Sequence, residues 1–190
     1  MATRIPLAER MRPGTLDDYV GQQHIIGKGA ILRNAIERSS IPSMILWGPP
    51  GVGKTTLAFI ISKQLNRPFF SLSAINSGVK DVREVIDKAT QLRNLQQEQP
   101  ILFIDEIHRF SKSQQDSLLG AVERGLVTLI GATTENPSFE VISALLSRCQ
   151  VYVLEHLTRD ELVGLVDKAL REDEYLNAQP VTVKEYDALI

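Results

Sequence analysis

The sequence predicts an α/β fold of three layers, in which helices cover both faces of a mostly parallel sheet. Over residues 43–154, short apolar segments alternate with amphipathic segments of helical length. The apolar segments are continuous rather than alternating, which is typical of strands buried on both faces. The first apolar segment runs directly into a glycine-rich loop and then into a helix, an arrangement that recurs in folds of this class.

Composition excludes several classes of protein. The 190 residues are 43% hydrophobic and 23% charged, which is enough apolar material for a core and excludes a mainly disordered chain. The apolar runs fall well short of the ~18 residues of a membrane span, and the N-terminus lacks the apolar segment of a secretory signal. The net charge of -2 excludes a broadly basic nucleic-acid binder. The single cysteine, Cys149, excludes an intramolecular disulfide and favours the reducing cytoplasm.

The alternation predicts five strands and the helices between them. The strands are expected at 44–47, 69–73, 101–105, 127–133 and 149–154. The helices are expected at 29–38, 55–65, 82–92, 111–123 and 140–147. The third helix has apolar residues at helical spacing, and the fourth begins with the capping-box pattern Ser111-x-x-Gln114.

After residue 154 the alternation stops. The pattern Thr158-x-x-Glu161 is typical of a helix N-terminus, and apolar residues at helical spacing follow it. We therefore divide the chain into an N-terminal arm at 1–28, a core at 29–156 and the beginning of an all-helical domain at 157–190. A second capping pattern begins at Thr182, and no C-cap follows it. We therefore expect the sequence to be the N-terminal part of a longer protein.

One loop carries a pattern that binds phosphate. Residues 48–55 fit G-x-x-x-x-G-K-[ST], with an apolar strand before them and a helix after them. Glycines let backbone N–H groups curl around phosphate oxygens, Lys54 supplies a positive charge, and the Thr55 hydroxyl can bind Mg²⁺. A glycine-proline turn that happens to contain a lysine is the alternative. The residues expected to contact a nucleotide here are Gly48, Pro49, Pro50, Gly51, Val52, Gly53, Lys54, Thr55 and Thr56.

Two carboxylates end the third predicted strand. Asp105 and Glu106 follow the apolar residues ILFI, at the strand end where ligands bind in open α/β sheets. Adjacent side chains on a strand point to opposite sides, so the two acids can have different roles. We expect Asp105 to hold Mg²⁺ and Glu106 to act as general base on the attacking water. Two solvated acids at a strand end are the alternative, and the phosphate-binding loop upstream favours hydrolysis.

Two further residues are candidates for contacts with the transition state. Thr134 ends the fourth strand and can bring its hydroxyl near the attacking water and the γ-phosphate. Arg148 precedes the fifth strand, and an arginine there can reach the γ-phosphate of a neighbouring subunit. A polar strand end and a surface arginine are the respective alternatives. His108 and Arg109, just after Glu106, are expected to be supporting or surface residues, and the histidine spacing predicts no zinc site.

Taken together, the motifs resemble those of a known family. The phosphate-binding loop, the ILFIDE strand, the TT strand end and the SRC triplet follow the order of an AAA+ ATPase module. Within that superfamily the chain resembles the clamp-loader-related RarA/MgsA family of replication-associated recombination ATPases, which includes the Werner-helicase-interacting protein. The resemblance covers most of residues 6–152, and its segments are PLAERMRPGTLDDYVGQQHIIG, SMILWGPPGVGKTTLA, SAINSGVKDVRE, DEIHRFSKSQQDSLL and LIGATTENPSFEVISALLSRCQVY.

The resemblance implies a fold and a site. It implies a P-loop AAA+ core with a parallel five-stranded sheet in the order 5-1-4-3-2. A small helical lid with a sensor-2 arginine outside this sequence and a C-terminal oligomerisation region would follow. By position, Thr134 matches sensor 1 and Arg148 matches the arginine finger that acts across a subunit interface. Arg12, Tyr19 and Val20 match the arm segment that packs on the adenine base.

The resemblance also implies cofactors, partners and a location. ATP or ADP and Mg²⁺ are the cofactors. The partners are DNA forks or junctions of single strand and duplex, contacted without sequence specificity, and single-strand-binding protein. The protein is expected to form a homo-oligomer, commonly a tetramer. The expected location is the cytoplasm, in association with the nucleoid, with no membrane partner.

Several functions remain open at this point. The first is a Mg²⁺-dependent, DNA-stimulated ATPase in fork maintenance, DNA repair and recombination, which the TTENPSF string favours. The second is a clamp-loader-type subunit, or a Holliday-junction subunit of the RuvB type, with which the DEIHR and GATT strings are shared. The third is a nucleotide-regulated scaffold, which has less need of Lys54, Asp105 and Glu106 together.

Overall fold

The computed structural model describes residues 5–74, 77–96, 99–178 and 181–188. These residues group into two units, one at 23–156 and the other combining 5–22 with the described residues after 156. Residues 23–28, which the sequence pattern assigns to the arm, group with the larger unit. The division into arm, core and helical domain stays a prediction.

Five parallel strands form the sheet of the larger unit. They are β1 (Met44–Trp47), β2 (Phe69–Ser73), β3 (Ile101–Asp105), β4 (Thr128–Thr133) and β5 (Gln150–Val153). Their order is β2-β3-β4-β1-β5, and every neighbouring pair is parallel, which confirms the expected order. Trp47 is level with Thr133, and Ile104 is level with Gly131. The carboxyl ends of β1, β3 and β4 therefore lie at one edge of the sheet.

The helices alternate with the strands, as the sequence predicts. Those of the described residues are α1 (Leu7–Arg10), α2 (Gln23–Ile26), α3 (Ile31–Glu37), α4 (Lys54–Gln64), α5 (Val79–Gln96), α6 (Lys112–Glu123), α7 (Pro137–Glu140), α8 (Ser143–Leu146), α9 (Arg159–Glu172) and α10 (Glu174–Asn177). Short 3-10 turns occur at Ile107–Arg109 and Tyr186–Ala188. Across the described ranges, none of the helices is both long and apolar enough to cross a membrane.

Both faces of the sheet are buried, as expected for a three-layer fold. On one face, Ile45, Leu102 and Leu129 pack with Val82 of α5 and Leu118 of α6. Strand residues alternate between faces, so those that lie on the opposite face are Met44, Leu46, Phe103 and Ile130, all of them at most 1% exposed. Each such side chain contributes roughly 1.5–3 kcal/mol on burial. The sheet is thus a rigid base for the loops at its carboxyl edge.

The helix expected at 140–147 forms differently. The chain makes two four-residue helices, α7 and α8, on either side of Val141 and Ile142, whose backbones are extended. The Asn136 side chain caps α7 and Pro137 takes its first position, so helical structure begins earlier than predicted. Val141 is 4% exposed and packs into the core, which holds the backbone extended between the two turns.

An ion pair joins the two segments of the smaller unit. α9 begins with the predicted capping box, in which Thr158 and Glu161 make both expected bonds. Arg10 of α1 donates to both carboxylate oxygens of Asp173, at 2.6 and 2.9 Å, and its guanidinium lies 4.8 Å from the centre of the Tyr175 ring. The bond from Arg10 lowers the pKa of Asp173. The contact therefore stabilises the fold at neutral pH and weakens as pH falls through that lowered pKa.

The pattern at Thr182 begins no α-helix within residues 181–188. The described residues there form one 3-10 turn, whose first residue, Tyr186, donates its hydroxyl hydrogen to Asp167 of α9. Arg159 of α9 also donates to Asp187, at 2.6 and 2.9 Å. Contacts with α9 thus hold a turn where the sequence predicts a second helix.

The single cysteine provides a probe of this fold. Cys149 lies between α8 and β5, packs partly against the core, and burial raises its pKa to about 11. Because the thiolate is the reactive form, we predict that alkylation by iodoacetamide near pH 8 is roughly 100-fold slower than in the unfolded chain. Mass spectrometry of timed samples, with and without denaturant, measures both rates. Equal rates would contradict this placement of Cys149.

Candidate active site

The phosphate-binding pattern forms a tight loop between β1 and α4. Gly51 and Gly53 have φ angles of 79° and 94°, a conformation that residues with side chains rarely adopt. Gly53 is the N-cap of α4, and Lys54 is the first residue of that helix. The loop therefore turns just before a helix N-terminus, where backbone N–H groups and the helix dipole favour an anion.

Lys54 is held within the loop by backbone carbonyls. Its ammonium group donates to the carbonyl oxygens of Gly48 and Pro49, both at 2.7 Å, and the residue is 8% exposed. Burial lowers the pKa of Lys54, while the negative charges of Glu106 and Asp105 oppose that change. An ammonium group has three donors, so one donor is not used by any described residue and can serve a phosphate oxygen.

Asp105 and Glu106 open onto the same cavity. Asp105 is the last residue of β3, whereas Glu106 lies beyond the strand in a left-handed conformation, with φ 55° and ψ 47°. The expectation that the two side chains point to opposite sides is therefore wrong, because strand alternation does not extend to Glu106. The cavity measures 320 Å³ and is lined by Pro50, Gly51, Gly53, Lys54, Thr55, Thr56, Asp105 and Glu106.

The charges around this cavity suit a divalent cation. Burial and the neighbouring Glu106 charge raise the pKa of Asp105, although Lys54 opposes the change. A cation beside Asp105 would relieve both effects, and the Thr55 hydroxyl lines the same cavity. Oxygen donors of this kind fit Mg²⁺. In the described part of the chain, His, Cys, Asp and Glu form no cluster of three or more suited to a metal, so phosphate and water would complete its coordination.

Thr134 reaches the same edge of the sheet but not the cavity wall. It follows β4 directly and is partly exposed. Thr133, the last residue of β4, is fully buried and level with Trp47 at the end of β1. Among the described residues, those that line the cavity do not include Thr134.

His108, which the sequence predicts to be a supporting or surface residue, lies beside two polar partners. It lies in the 3-10 turn after β3, and its side chain is 11% exposed. Its Nδ1 lies 3.0 Å from the Thr133 hydroxyl, and its Nε2 lies 3.3 Å from a carboxylate oxygen of Glu106. The available signal was its spacing, since a residue two positions after Glu106 in a tight turn can fold back onto it.

Arg148 lies after α8, and the described cavity lining does not include it. Its guanidinium is 2.5 Å from a carboxylate oxygen of Glu123, at the end of α6, and donates to the Ala144 carbonyl at 2.6 Å. The side chain is 39% exposed. An arginine that serves a neighbouring subunit needs such a position, since it must reach beyond its own chain.

The three predicted adenine contacts belong to the smaller unit. Tyr19 is buried there, and burial raises its pKa. Val20 is partly buried, and Arg12 forms an ion pair with Glu9 at 2.6 Å. Their contact with a base stays a prediction.

We predict that Asp105→Asn makes the protein more stable near neutral pH. The raised pKa of Asp105 means that its ionised form is disfavoured in the folded state, and asparagine removes this charge. For a half-buried group screened by solvent the gain is about 0.5 kcal/mol. It disappears as pH falls through the raised pKa, because the native carboxyl is then protonated.

Urea unfolding at about pH 7.5 and about pH 4 measures this difference. The matched control is Glu140→Gln, which removes an exposed acid. A lower free energy of unfolding for Asp105→Asn at the higher pH would contradict the electrostatic account.

Comparison with known proteins places these residues in a family. Residues 11–147 match the family described as the Holliday junction DNA helicase RuvB P-loop domain. Replication-associated recombination protein A of Coxiella burnetii is 53% identical over 170 residues, which are 90% of this chain and 38% of that protein. ATPase WRNIP1 of Dictyostelium discoideum is 52% identical over 167 residues, covering 87% of this chain and 19% of that protein.

Comparison with solved structures also finds a RuvB protein. The Thermotoga maritima RuvB Holliday junction branch migration motor superposes with a TM-score of 0.68 at 34% identity, over 85% of this chain and 54% of that chain. The chain spans well under half the length of the curated relatives that it matches. The family match extends over the phosphate-binding loop, both carboxylates and Thr134. This chain therefore belongs to the RuvB-type P-loop family of AAA+ ATPases and, within it, to the group of replication-associated recombination protein A and WRNIP1.

Proposed function

We propose that the chain is the nucleotide-hydrolysing module of a Mg²⁺-dependent, DNA-stimulated ATPase that acts in replication-fork maintenance, DNA repair and recombination. The observation that carries this proposal is a single cavity of 320 Å³ lined by Lys54, Thr55, Asp105 and Glu106. The cavity combines a helix N-terminus, a cation and two carboxylates. These are the parts that binding and hydrolysis of a nucleoside triphosphate require.

Each residue has a defined part in the reaction. The loop amides and the N-terminus of α4 bind the phosphate oxygens, and Lys54 adds its free donor to the β- and γ-phosphates. Thr55 and Asp105 would hold Mg²⁺, which when bound neutralises charge that develops on the phosphates. Glu106 accepts the proton of the water that attacks the γ-phosphate. Gly51 and Gly53 keep side chains away from the surface that the phosphates contact.

Residues outside the cavity wall complete the assignment. We assign Thr134 to the γ-phosphate and the attacking water, and Arg148 to the γ-phosphate bound by an adjacent copy. The partial exposure of Arg148 supports a role across an interface. Arg12, Tyr19 and Val20 are assigned to the adenine base. A homo-oligomer, with four copies in the full-length protein, follows from the family resemblance.

The proposed partner is DNA at forks or junctions. The names of the relatives support it, since they refer to replication, recombination and Holliday junctions. With a net charge of -2, the chain would contact phosphates through a local patch and without base-specific readout. Single-strand-binding protein as a second partner, and a nucleoid-associated location in the cytoplasm, rest on the family resemblance.

A RuvB-type branch-migration subunit is the second candidate, because the matching family bears that description. The higher identity to replication-associated recombination protein A, 53% against 34% for the RuvB structure, favours the first candidate. ATPase assays of the full-length protein with forked duplexes and with four-way junctions separate the two. Preferential stimulation by four-way junctions, together with branch migration, would favour the second candidate. A clamp-loader subunit would instead load a sliding ring. A scaffold would bind ATP to set its assembly state without hydrolysing it.

We predict that Glu106→Gln in the full-length protein binds ATP with normal affinity but turns it over at least about 100-fold more slowly. Loss of a general base has this effect, while the phosphate contacts of the loop stay intact. Binding of a fluorescent ATP analogue and phosphate release measure the two quantities. The matched control is Glu84→Gln, an exposed acid on α5. Normal turnover would remove Glu106 from the mechanism.

We predict that Arg148→Ala lowers turnover by about 10³-fold, because an arginine finger stabilises charge in the transition state. Its own cavity stays intact, so mixed assemblies with Glu106→Gln subunits recover part of the activity. Phosphate release from mixtures, with mixing verified by native mass spectrometry, tests this. Arg124→Ala, a change just after α6, is the control. Verified mixed assemblies without recovery would contradict action across an interface.

A further inference from the structure

The His108 ring connects two elements that meet in the fold but lie apart in sequence. Thr133, at the end of β4, is 25 residues further along the chain. The 3-10 turn that carries the ring is fixed on both sides, since the Arg109 N–H donates to the Glu106 carbonyl at 2.8 Å and Ile107 is fully buried. The turn that carries the ring is therefore held in place by backbone and core contacts.

The polar contacts form a chain from β4 to the carboxylate. The Glu135 N–H donates to the Thr133 hydroxyl oxygen at 3.0 Å, and that hydroxyl lies 3.0 Å from His108 Nδ1. On the other side of the ring, Nε2 lies 3.3 Å from Oε2 of Glu106. Such chains polarise one another and fix the orientation of their members.

Both protonation states of the ring complete this chain. An ionised carboxylate can only accept, so the arrangement fits a ring whose Nε2 carries a hydrogen, and its 3.3 Å approach to Glu106 is an electrostatic contact. In the neutral ring, Nδ1 then accepts from the Thr133 hydroxyl. When Nδ1 also carries a hydrogen, it donates to that oxygen, and the hydroxyl donates to the Glu135 carbonyl, which lies 3.2 Å away.

We propose that His108 is a positioning residue that sets the orientation of the Glu106 carboxylate and couples it to the end of β4. His108 contacts Thr133, which in turn bonds to Glu135, and Thr134 lies between those two residues. A shift of the end of β4 caused by Thr134 binding the γ-phosphate would therefore move His108 and, through it, the Glu106 carboxylate. The proposal rests on the proposed function, in which Glu106 activates water. It makes the arrangement of Glu106 depend on a residue that is not among the described residues lining the cavity.

The neighbouring Arg109 provides the internal comparison. Its Nε lies 3.8 Å from the same oxygen of Glu106, and its side chain is 56% exposed. A solvated contact at that distance contributes little. His108, with its side chain 11% exposed and contacts on both ring nitrogens, has the geometry to fix the carboxylate, whereas Arg109 serves as a matched control.

The test measures ATP turnover and nucleotide binding in the full-length protein. We expect His108→Ala to lower kcat by about 10- to 100-fold, the scale of losing a supporting partner in a reactive site. Its affinity for a fluorescent ATP analogue should change less than about twofold, and Arg109→Ala should leave kcat unchanged. His108→Gln places an amide donor near the Nε2 position and should recover more activity than His108→Asn, which reaches only the Nδ1 position.

Coupling to β4 is tested by a double-mutant cycle. Thr133→Val should lower kcat when His108 is present and have no further effect in the His108→Ala background. The proposal is overturned if His108→Ala keeps full kcat, if its loss of binding equals its loss of turnover, or if the Thr133→Val and His108→Ala effects multiply. An active Glu106→Gln variant would instead overturn the proposed function. An inactive Glu106→Gln beside a fully active His108→Ala would overturn the positioning role alone.

Discussion

The candidate site depends on charges that the sheet brings together and partly removes from water. β4 lies between β1 and β3, so the loop after β1 and the two acids at the end of β3 meet at one edge. Burial disfavours the charged form of Lys54 and of Asp105, which lowers the pKa of the first and raises that of the second. Each group therefore carries a charge that burial disfavours. A ligand that carries phosphates and a metal would supply the charges that each of them lacks.

The backbone holds these charges in place at some conformational cost. Gly51 and Gly53 take left-handed conformations that only glycine adopts freely, and Glu106 takes one that is uncommon for a residue with a side chain. The buried residues of β1 and β3 beneath them supply the rigidity that keeps such turns formed. In our account, His108 adds a second restraint, since it ties the carboxylate of Glu106 to the strand that ends beside it.

Local sequence patterns predict the strands and the helix N-termini, because these depend on the hydrophobicity and hydrogen bonding of neighbouring residues. Apolar runs located all five strands, and the Ser111 and Thr158 capping boxes form as expected. The strand order came from the family resemblance, because crossover connections leave no local signal. The expectation for the two acids was wrong, because it extended strand alternation one residue beyond β3. The contact of Arg10 with Asp173 joins residues 163 positions apart, and local sequence patterns do not predict which distant residues will meet.

A structure with a nonhydrolysable ATP analogue and Mg²⁺ tests the central claim most directly. The account predicts phosphate oxygens against the loop amides and Lys54, with the metal between the γ-phosphate and the oxygens of Thr55 and Asp105. It also predicts a water molecule within hydrogen-bond distance of Glu106 and placed for in-line attack on the γ-phosphorus. A nucleotide bound elsewhere, or one bound here with Glu106 turned away from any water near the phosphate, would contradict it.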